Sequence, residues 1–292
     1  MTKKLHDLKV EASIFIERYR FIVIPIVLIS IGLFCYLVLY KLLIVRVFNI
    51  EIKYELNYAV YNTYYIKATK LTYIQLYLSG VYTTIKISLI SIIIAMSMGT
   101  LLAVFRLSRV KVLDIFAKAY IEFMRNTPLL IQIFFWYYGT DPLLPDFFKK
   151  WLYSQTSTEF AYGVIALSIY TSAFIAEEIR AGIQSIPKEQ MEASRAQGLT
   201  FLQAMRLVIL PQAFRIVIPP LISQSLNLTK NSSLVMAIGV VELMAASRFL
   251  YEGTYRVFEA LTVTTVIYLS LSLLISFSIN QYNKHFLKYI RY

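Results

Sequence analysis

The sequence predicts an all-α, polytopic helical membrane protein, and three observations support this fold class. First, 58% of the 292 residues are apolar and 16% are charged, whereas soluble domains are nearer to half and a quarter. Second, the apolar residues occur in blocks long enough to cross a bilayer as helices. Third, the basic residues that give the net charge of +12 lie mostly between these blocks. This distribution favours membrane loops over a nucleic-acid-binding surface.

Six segments are predicted to span the bilayer, because about 20 helical residues suffice to cross it. They are roughly 21–45, 76–105, 119–139, 159–182, 207–241 and 257–281. The first is predicted to be an uncleaved span, since its apolar run is too long for a signal peptide and no small-residue cleavage site follows. The inner segments carry 16 Lys and Arg against 8 in the outer segments. Both termini are therefore predicted to be cytoplasmic.

Two segments between the spans are predicted to lie outside the cell. Residues 46–75 are rich in Tyr, Asn and Lys, and this places them in water rather than in lipid. Residues 140–158 contain Pro142, Pro145 and several aromatic side chains. We expect an outer loop there, with aromatic residues at the membrane interface.

Composition excludes several kinds of chemistry. A single cysteine, Cys35, forms neither a disulfide nor a thiolate cluster. The two histidines, His6 and His285, lie near the termini. The sequence therefore offers almost no side chains for metal-based or His-based catalysis. The phosphate-binding pattern GxxxxGK[ST] is absent from the sequence. The chain is therefore not expected to be an ATP-hydrolysing enzyme by that route.

A polar stretch at about 185–211 separates the fourth and fifth spans. Its first part, KEQMEASRAQ, consists of strong helix formers. Gly198 is placed to take the left-handed conformation that ends this helix. Thr200 and Gln203 have the spacing of a capping box, which predicts a second helix. Pro211 is then expected to kink or end that helix, because proline lacks the backbone N–H.

This stretch allows three interpretations. It can be a solvated helical connection, or it can be mistaken for a DNA-reading helix-turn-helix. The apolar spans on both sides hold it close to the bilayer, so no nucleic acid partner is expected. The functional interpretation is a docking element for a cytoplasmic protein. The small residues Ala193, Ala196 and Gly198 would permit close approach, and Glu192 and Arg195 would be polar anchors.

The same stretch resembles the EAA loop of binding-protein-dependent ABC importer permeases, whose pattern is EAA, a Gly four residues later, and ILP further on. This chain has Glu192-Ala193-Ser194, Gly198 and Ile209-Leu210-Pro211. Further blocks resemble the polar amino acid branch of that family. They are GVYTTIKISLISIIIAMSMGTLLAVFRLSR (80–109), FMRNTPLLIQIFFWYYG (123–139), AFIAEEIRAGIQSIPKEQMEA (173–193) and LTKNSSLVMAIGVVEL (228–243).

The resemblance covers about 76–285, and this range is predicted to be a five-span permease domain. Residues 1–75 are predicted to form a cytoplasmic tail, an extra span and a periplasmic segment, and 286–292 a cytoplasmic tail. Three positions depart from the family pattern. Glu189 stands where the family usually has Gly, and Ser194 replaces the second Ala of EAA. Asn126 also replaces a Gly, and Asn tolerates the left-handed region better than most residues.

The resemblance implies a permease subunit of an importer that carries a polar amino acid of the glutamine, glutamate, histidine or arginine type across the cell inner membrane. It implies three protein partners: an ATP-binding subunit, a periplasmic or surface solute-binding protein, and a second permease subunit in a homodimer or heterodimer. No cofactor is expected in this chain, since ATP and Mg²⁺ would be bound by the ATPase. Closure of the ATPase dimer would push on the EAA loop. The implied ATPase-coupling residues are Glu192, Ala193, Arg195, Gly198 and Pro211.

Two polar islands in apolar spans are candidates for the translocation pathway. The first consists of Arg125, Asn126 and Thr127, which with Pro128 interrupt a helix. Burying an Arg at the bilayer centre costs roughly 2.5–3.5 kcal/mol, so Arg125 is expected either to anchor the helix or to face the pathway. The second island is Lys230, Asn231 and Ser232, followed by Ser233. It either lines the pathway or serves packing.

One further charged group lies at the end of a span, and two other functions are possible for such a chain. Glu177, Glu178 and Arg180 lie near the inner end of a span, and local Glu–Arg pairing is favoured. A self-contained ion-coupled carrier or channel would need carboxylates at mid-membrane depth, whereas the acids here crowd loops and span ends. A structural scaffold would leave the polar islands unexplained.

Overall fold

A computed structural model describes residues 56–66, 71–108, 110–140 and 143–288. The predicted span at 21–45 lies outside the described residues. Residues 57–292 form one compact unit, and the fold below concerns that unit.

The described residues are helical apart from one short antiparallel hairpin. Its strands are β1 (Tyr64–Ile66) and β2 (Leu71–Thr72). The helices are α1 (Tyr73–Leu107), α2 (Lys111–Asn126), α3 (Leu129–Phe134), α4 (Asp146–Gln155), α5 (Thr158–Gln184), α6 (Lys188–Ala196), α7 (Phe201–Ala204), α8 (Leu210–Asn231), α9 (Leu243–Thr254) and α10 (Val257–Lys288). Two 3-10 turns (Tyr58–Asn62, Ser232–Ile238) and two π-helical turns (Phe135–Thr140, Met205–Ile209) complete the order.

Within the described ranges, four helical segments are long and apolar enough to cross a membrane. They are Tyr73–Leu107, Thr158–Gln184, Phe201–Ile238 and Val257–Phe277. Each overlaps one of the predicted spans, and the all-α membrane fold is thereby confirmed. The boundaries differ by a few residues, as expected where helix ends extend beyond the bilayer.

The span predicted at 119–139 is not one continuous helix. Helix α2 ends at Asn126, Thr127 is extended, and α3 begins directly after Pro128. The cause is local, because a proline pushes the residue before it out of the helical region. The interruption itself agrees with the sequence analysis. The reason offered for Asn126 is wrong, since Asn126 is the last residue of a right-handed helix and has no positive φ.

The segment 140–158, predicted to be an outer loop, also differs from the loop expected there. It contains α4, a helix of 10 residues that begins after Pro145 and has Asp146 in its first turn. A proline with an extended ψ before the helix and an acidic residue at its positive end both favour helix initiation.

Helices α1 and α5 form the centre of the unit, and small residues let their backbones approach. A Cβ added to Gly99 would lie 2.6 Å from the Ile175 side chain, so only glycine fits at this crossing. The Ser168 hydroxyl donates to the Ser91 carbonyl oxygen at 3.3 Å across the same interface. Small residues and hydroxyl bonds of this kind hold membrane helices together where the hydrophobic effect contributes little.

The segment before α1 is fastened to the start of α10. The Asn57 amide donates to Glu259 Oε1, and the Tyr61 hydroxyl donates to the Glu259 carbonyl oxygen, both at 2.9 Å. Burial raises the pKa of Tyr61, so the phenol stays protonated and keeps donating. The Tyr61 and Tyr77 rings also meet edge to face with centroids 5.0 Å apart.

Glu242, which is fully buried, links three helices. It caps the N-terminus of α9 by accepting from the Met244 and Ala245 amides at 2.8 Å. It also accepts from the Tyr268 hydroxyl of α10 at 2.8 Å and, more weakly, from the Thr84 hydroxyl of α1 at 3.4 Å. A buried acid with four donors is a structural cap rather than an unpaired charge.

Candidate functional site

The EAA loop, residues 185–211, has the local structure that its sequence predicts. Helix α6 begins directly after Pro187, and Gly198 follows its end with φ +89°. The Thr200 hydroxyl accepts from the Gln203 amide while the Gln203 side chain accepts from the Thr200 amide. A helix, a left-handed glycine and a reciprocal capping box therefore fix the angle between α6 and α7.

One face of α6 is exposed in the described part of the chain. Glu192, Ala193, Arg195 and Ala196 are all exposed. A Cβ built on Gly198 would meet no heavy atom within 4 Å. Small residues flanked by two charged side chains thus present an exposed surface, in the arrangement predicted for a docking protein.

The opposite face of α6 is attached to the base of α8. Ser194 is buried, and its hydroxyl donates to the Gln190 carbonyl oxygen at 2.6 Å. Met191 packs against the cluster formed by Ile186, Ile209 and Ala213. Helix α6 is therefore in packed contact with the first turns of α8.

Pro211 does not end the helix, contrary to one of the two outcomes expected. The segment Phe201–Ile238 stays helical, with a π-helical turn at Met205–Ile209 that ends two residues before Pro211. A π turn changes the backbone hydrogen-bonding pattern locally and is common at functional sites. The proline is accommodated as the second residue of α8.

A cavity of about 150 Å³ lies between α5 and α8. A single water needs only roughly 10–15 Å³ by a comparable measure, so the cavity has room for a small polar group. Thr171 lies at the midpoint of α5, a helix long and apolar enough to cross a membrane. The lining residues are Tyr170, Thr171, Phe174, Gln224, Asn227, Leu228 and Asn231.

Three amide side chains of α8 face this cavity without internal partners. Within the described part of the chain, Gln224, Asn227 and Asn231 make no side-chain hydrogen bond to another residue. Polar groups inside a membrane protein are normally hydrogen-bonded, because leaving them unpaired is costly. These amides are consequently available to water or to a polar solute.

Lys230 lies in a different place from its neighbour Asn231. It is exposed and lines a second, larger groove of about 510 Å³ together with Ser233, Thr264 and Tyr268. The groove lies between the end of α8, α9 and α10. The polar island at 230–233 therefore divides between two cavities instead of lining one.

The remaining pathway candidates are placed as follows. Arg125 is exposed, and its guanidinium carbon lies 5.3 Å from the centre of the Phe174 ring, beside the first cavity. Asn126 is exposed. The Thr127 hydroxyl donates to the Phe123 carbonyl oxygen at 2.9 Å. Ser232 is buried, and its hydroxyl donates to the Thr229 carbonyl oxygen at 2.8 Å.

The charged group near the inner end of α5 pairs locally, as favoured from the sequence. Arg180 forms a salt bridge with Glu177 one turn earlier and also donates to Gln184. In the described part of the chain, no group of three or more His, Cys, Asp or Glu side chains is placed to hold a metal ion.

Sequence reasoning missed three polar residues that the structure brings into the argument. Gln224 and Asn227 precede Asn231 by seven and four residues, a helical spacing that would have placed them on one face. Gln132 has its side-chain nitrogen 3.0 Å from the Met124 carbonyl oxygen and 2.6 Å from the Thr127 hydroxyl, and it donates to both. It thus satisfies backbone freed by the break at Pro128.

Together, the fold and these sites define a polytopic helical membrane protein in which an exposed helical loop packs against the base of a helix that lines a polar cavity. Residues 91–288 match the family described as binding-protein-dependent transport system inner membrane component. The chain belongs to this family. It is therefore the membrane-spanning permease component of such a system.

Similar proteins agree with this assignment. A probable glutamine ABC transporter permease of Bacillus subtilis (strain 168) is 41% identical over 72% of this chain and 93% of its own length. A glutamate/aspartate import permease of Escherichia coli (strain K12) is 34% identical over 68% of this chain and 81% of its own. The crystal structure of an amino acid ABC transporter with histidines aligns with a TM-score of 0.65, 33% identity, and coverage of 73% and 95% of the two chains.

Proposed function

We propose that this permease translocates an amino acid, driven by ATP hydrolysis in a separate subunit. The observation that carries the proposal is the family membership of a chain in which a polar cavity lies between two helices long enough to span a membrane. The similar proteins bear names of amino acid transporters. Their printed substrates differ in charge, so they support the amino acid class and not a particular side chain.

The coupling mechanism follows from the attachment of α6 to α8. An ATP-binding subunit would press on the exposed face around Glu192, Ala193 and Arg195. Met191 would transmit the movement to Ile209 at the base of α8. From there to Gln224, the helix rises about 20 Å at ~1.5 Å per residue. Helix α8 continues over this distance through Pro219 and Pro220, which each lack a backbone N–H and so are points where it can bend. Tilting its base would displace the cavity wall, and alternating access would result.

The rival carrier mechanism has less support in the structure. The fully buried acids Glu242 and Glu259 lie at the N-cap of α9 and in the first turn of α10. Glu242 accepts four hydrogen bonds, and Glu259 pairs with Arg256 at 3.5 Å. Carboxylates engaged in this way serve as structural groups, whereas a coupling carboxylate must exchange its ion during transport.

We further propose an inner-membrane location with both termini in the cytoplasm. Single cysteines at Thr2 and at the exposed Asn62, in a Cys35→Ser background, test this orientation. A reagent that cannot cross the membrane is expected to label position 62 in intact cells, and position 2 only after lysis. Labelling of position 2 in intact cells would overturn the orientation.

Partner capture tests the function itself. The tagged chain, purified from its native membrane, is expected to retain an ATP-binding subunit and a second permease subunit, and a loaded solute-binding protein should stimulate its ATP hydrolysis. In contrast, amino acid uptake by the chain alone in liposomes, driven by an ion gradient without ATP, would establish the carrier instead.

A further inference from the structure

We propose that the cavity between α5 and α8 selects amino acids with uncharged, hydrogen-bonding side chains, of which glutamine and asparagine are the best match. This inference rests on the proposed function, because it takes the cavity as a place where the amino acid stops during passage. It names a substrate class and the residues that choose it.

The cavity wall carries no charged side chain. Its seven lining residues comprise three amides, two hydroxyls and two apolar side chains, and none of them is Asp, Glu, Lys, Arg or His. A charged side chain transferred from water into such a site loses its hydration without gaining a counter-ion. An uncharged side chain escapes most of that penalty.

The wall has hydrogen-bonding capacity instead. Each amide of Gln224, Asn227 and Asn231 offers an N–H₂ donor and a carbonyl acceptor. None of these amides bonds to another described residue. Gln224 and Asn231 are half-buried and Asn227 is exposed, so their hydrogen-bonding groups are open to a ligand in the cavity. A ligand amide carries the same two kinds of group and can satisfy both. Lysine and arginine side chains only donate, and an ionised carboxylate only accepts.

A cation also lies beside the cavity. The Arg125 guanidinium stacks on Phe174, whose ring forms part of the wall. Every amino acid carries one α-carboxylate that such a cation attracts. A glutamate or aspartate brings a second carboxylate for which no second cation lines the cavity. A lysine or arginine brings a positive charge that Arg125 repels.

A binding measurement on the permease–ATPase complex without its solute-binding protein isolates the preference of this chain. The probe is radiolabelled L-glutamine, displaced by unlabelled L-asparagine, L-arginine or L-glutamate. We expect glutamine to bind at least about tenfold more tightly than arginine or glutamate, which corresponds to ~1.4 kcal/mol. Asparagine should compete better than either charged amino acid.

Charge variants of nearly unchanged shape give the sharper test. Gln224→Glu and Asn231→Asp are expected to weaken glutamine binding and to strengthen arginine binding about tenfold or more, since each places an anion in the wall. Ser223→Glu is the matched control. It lies on the same helix, is exposed and does not line the cavity, so it should leave the preference unchanged. Retention of the ATPase subunit by each variant reports correct folding.

The outcomes separate this inference from the function on which it rests. If arginine or glutamate binds the wild-type complex as tightly as glutamine does, or if Gln224→Glu leaves the preference unchanged, the selection by this cavity is overturned. The same holds if no amino acid binds while a loaded solute-binding protein still stimulates ATP hydrolysis, and the importer function then stands. Loss of both binding and stimulation in the wild type would overturn the importer function as well.

Discussion

The EAA loop and the α5–α8 cavity are built in opposite ways. The loop takes its shape from residues close in sequence: Gly198 with its positive φ, and the capping box of Thr200 and Gln203. The cavity exists only because Thr171 and Gln224, 53 positions apart, meet across two packed helices. Local signals therefore define the proposed ATPase-docking loop, and long-range packing defines the proposed amino acid cavity.

The largest effect is expected at the loop, from Gly198→Val. A β-branched residue at φ +89° is strained by about 1–3 kcal/mol. Since the added methyl groups find open space in this chain, the strain should alter the angle between α6 and α7 and crowd the docking partner. Stimulated ATP hydrolysis and transport should fall by tenfold or more at normal membrane insertion. The measurement is ATPase activity of the purified complex with loaded binding protein.

Two further variants control this experiment. Gly198→Ala shares the backbone strain with less bulk and is expected to give an intermediate loss. Glu192→Lys leaves the backbone alone, reverses a charge on the exposed face, and should act in the same direction. If Gly198→Val and Glu192→Lys both transport normally at normal expression, the loop is only a solvated connection, and its contrast with the cavity disappears.

A smaller effect is expected in the groove next to the cavity, from Lys230→Ala. A lysine exposed in an apolar span costs free energy on insertion, so its removal should not reduce expression. Transport per molecule should fall several-fold if the charge serves the pathway. Uptake in proteoliposomes, normalised to protein content, checks this.

Lys86→Ala is the matched control, because Lys86 is also exposed in a spanning helix but contacts Phe160 away from the groove. Equal losses of protein and of transport for Lys230→Ala would assign this lysine to packing.

The smallest effect on transport is expected from Gln132→Leu, which removes the side chain that bridges the break at Pro128. Its bonds to Met124 and Thr127 contribute roughly 1 kcal/mol in a membrane protein. The thermal unfolding midpoint of the purified subunit should decrease, while transport per folded molecule stays close to normal. Thr127→Ser keeps the bridging hydroxyl and should match the wild type. A transport defect at unchanged stability would place Gln132 in the pathway instead.

The sequence predicted those parts whose signals lie within a few residues. The spans, Gly198, the capping box and the break at Pro128 all rest on backbone rules that act locally. The polar island at 230–233 was recognised, but its division between two cavities was not, because that depends on which helices pack against each side of α8. Gln132 and Glu242 were overlooked for a related reason, since the groups they satisfy become visible only when backbone hydrogen bonds are traced.

The π-helical turn at Met205–Ile209 also determines how the helix that follows it is rotated about its own axis. One residue of an α-helix corresponds to a rotation on the order of 100°. Shortening the turn by one residue would therefore swing the face that carries Gln224, Asn227 and Asn231 away from α5 and toward neighbouring lipid. The length of one short turn, about 20 Å from the cavity, thus determines the direction of the amide face relative to the base of this helix.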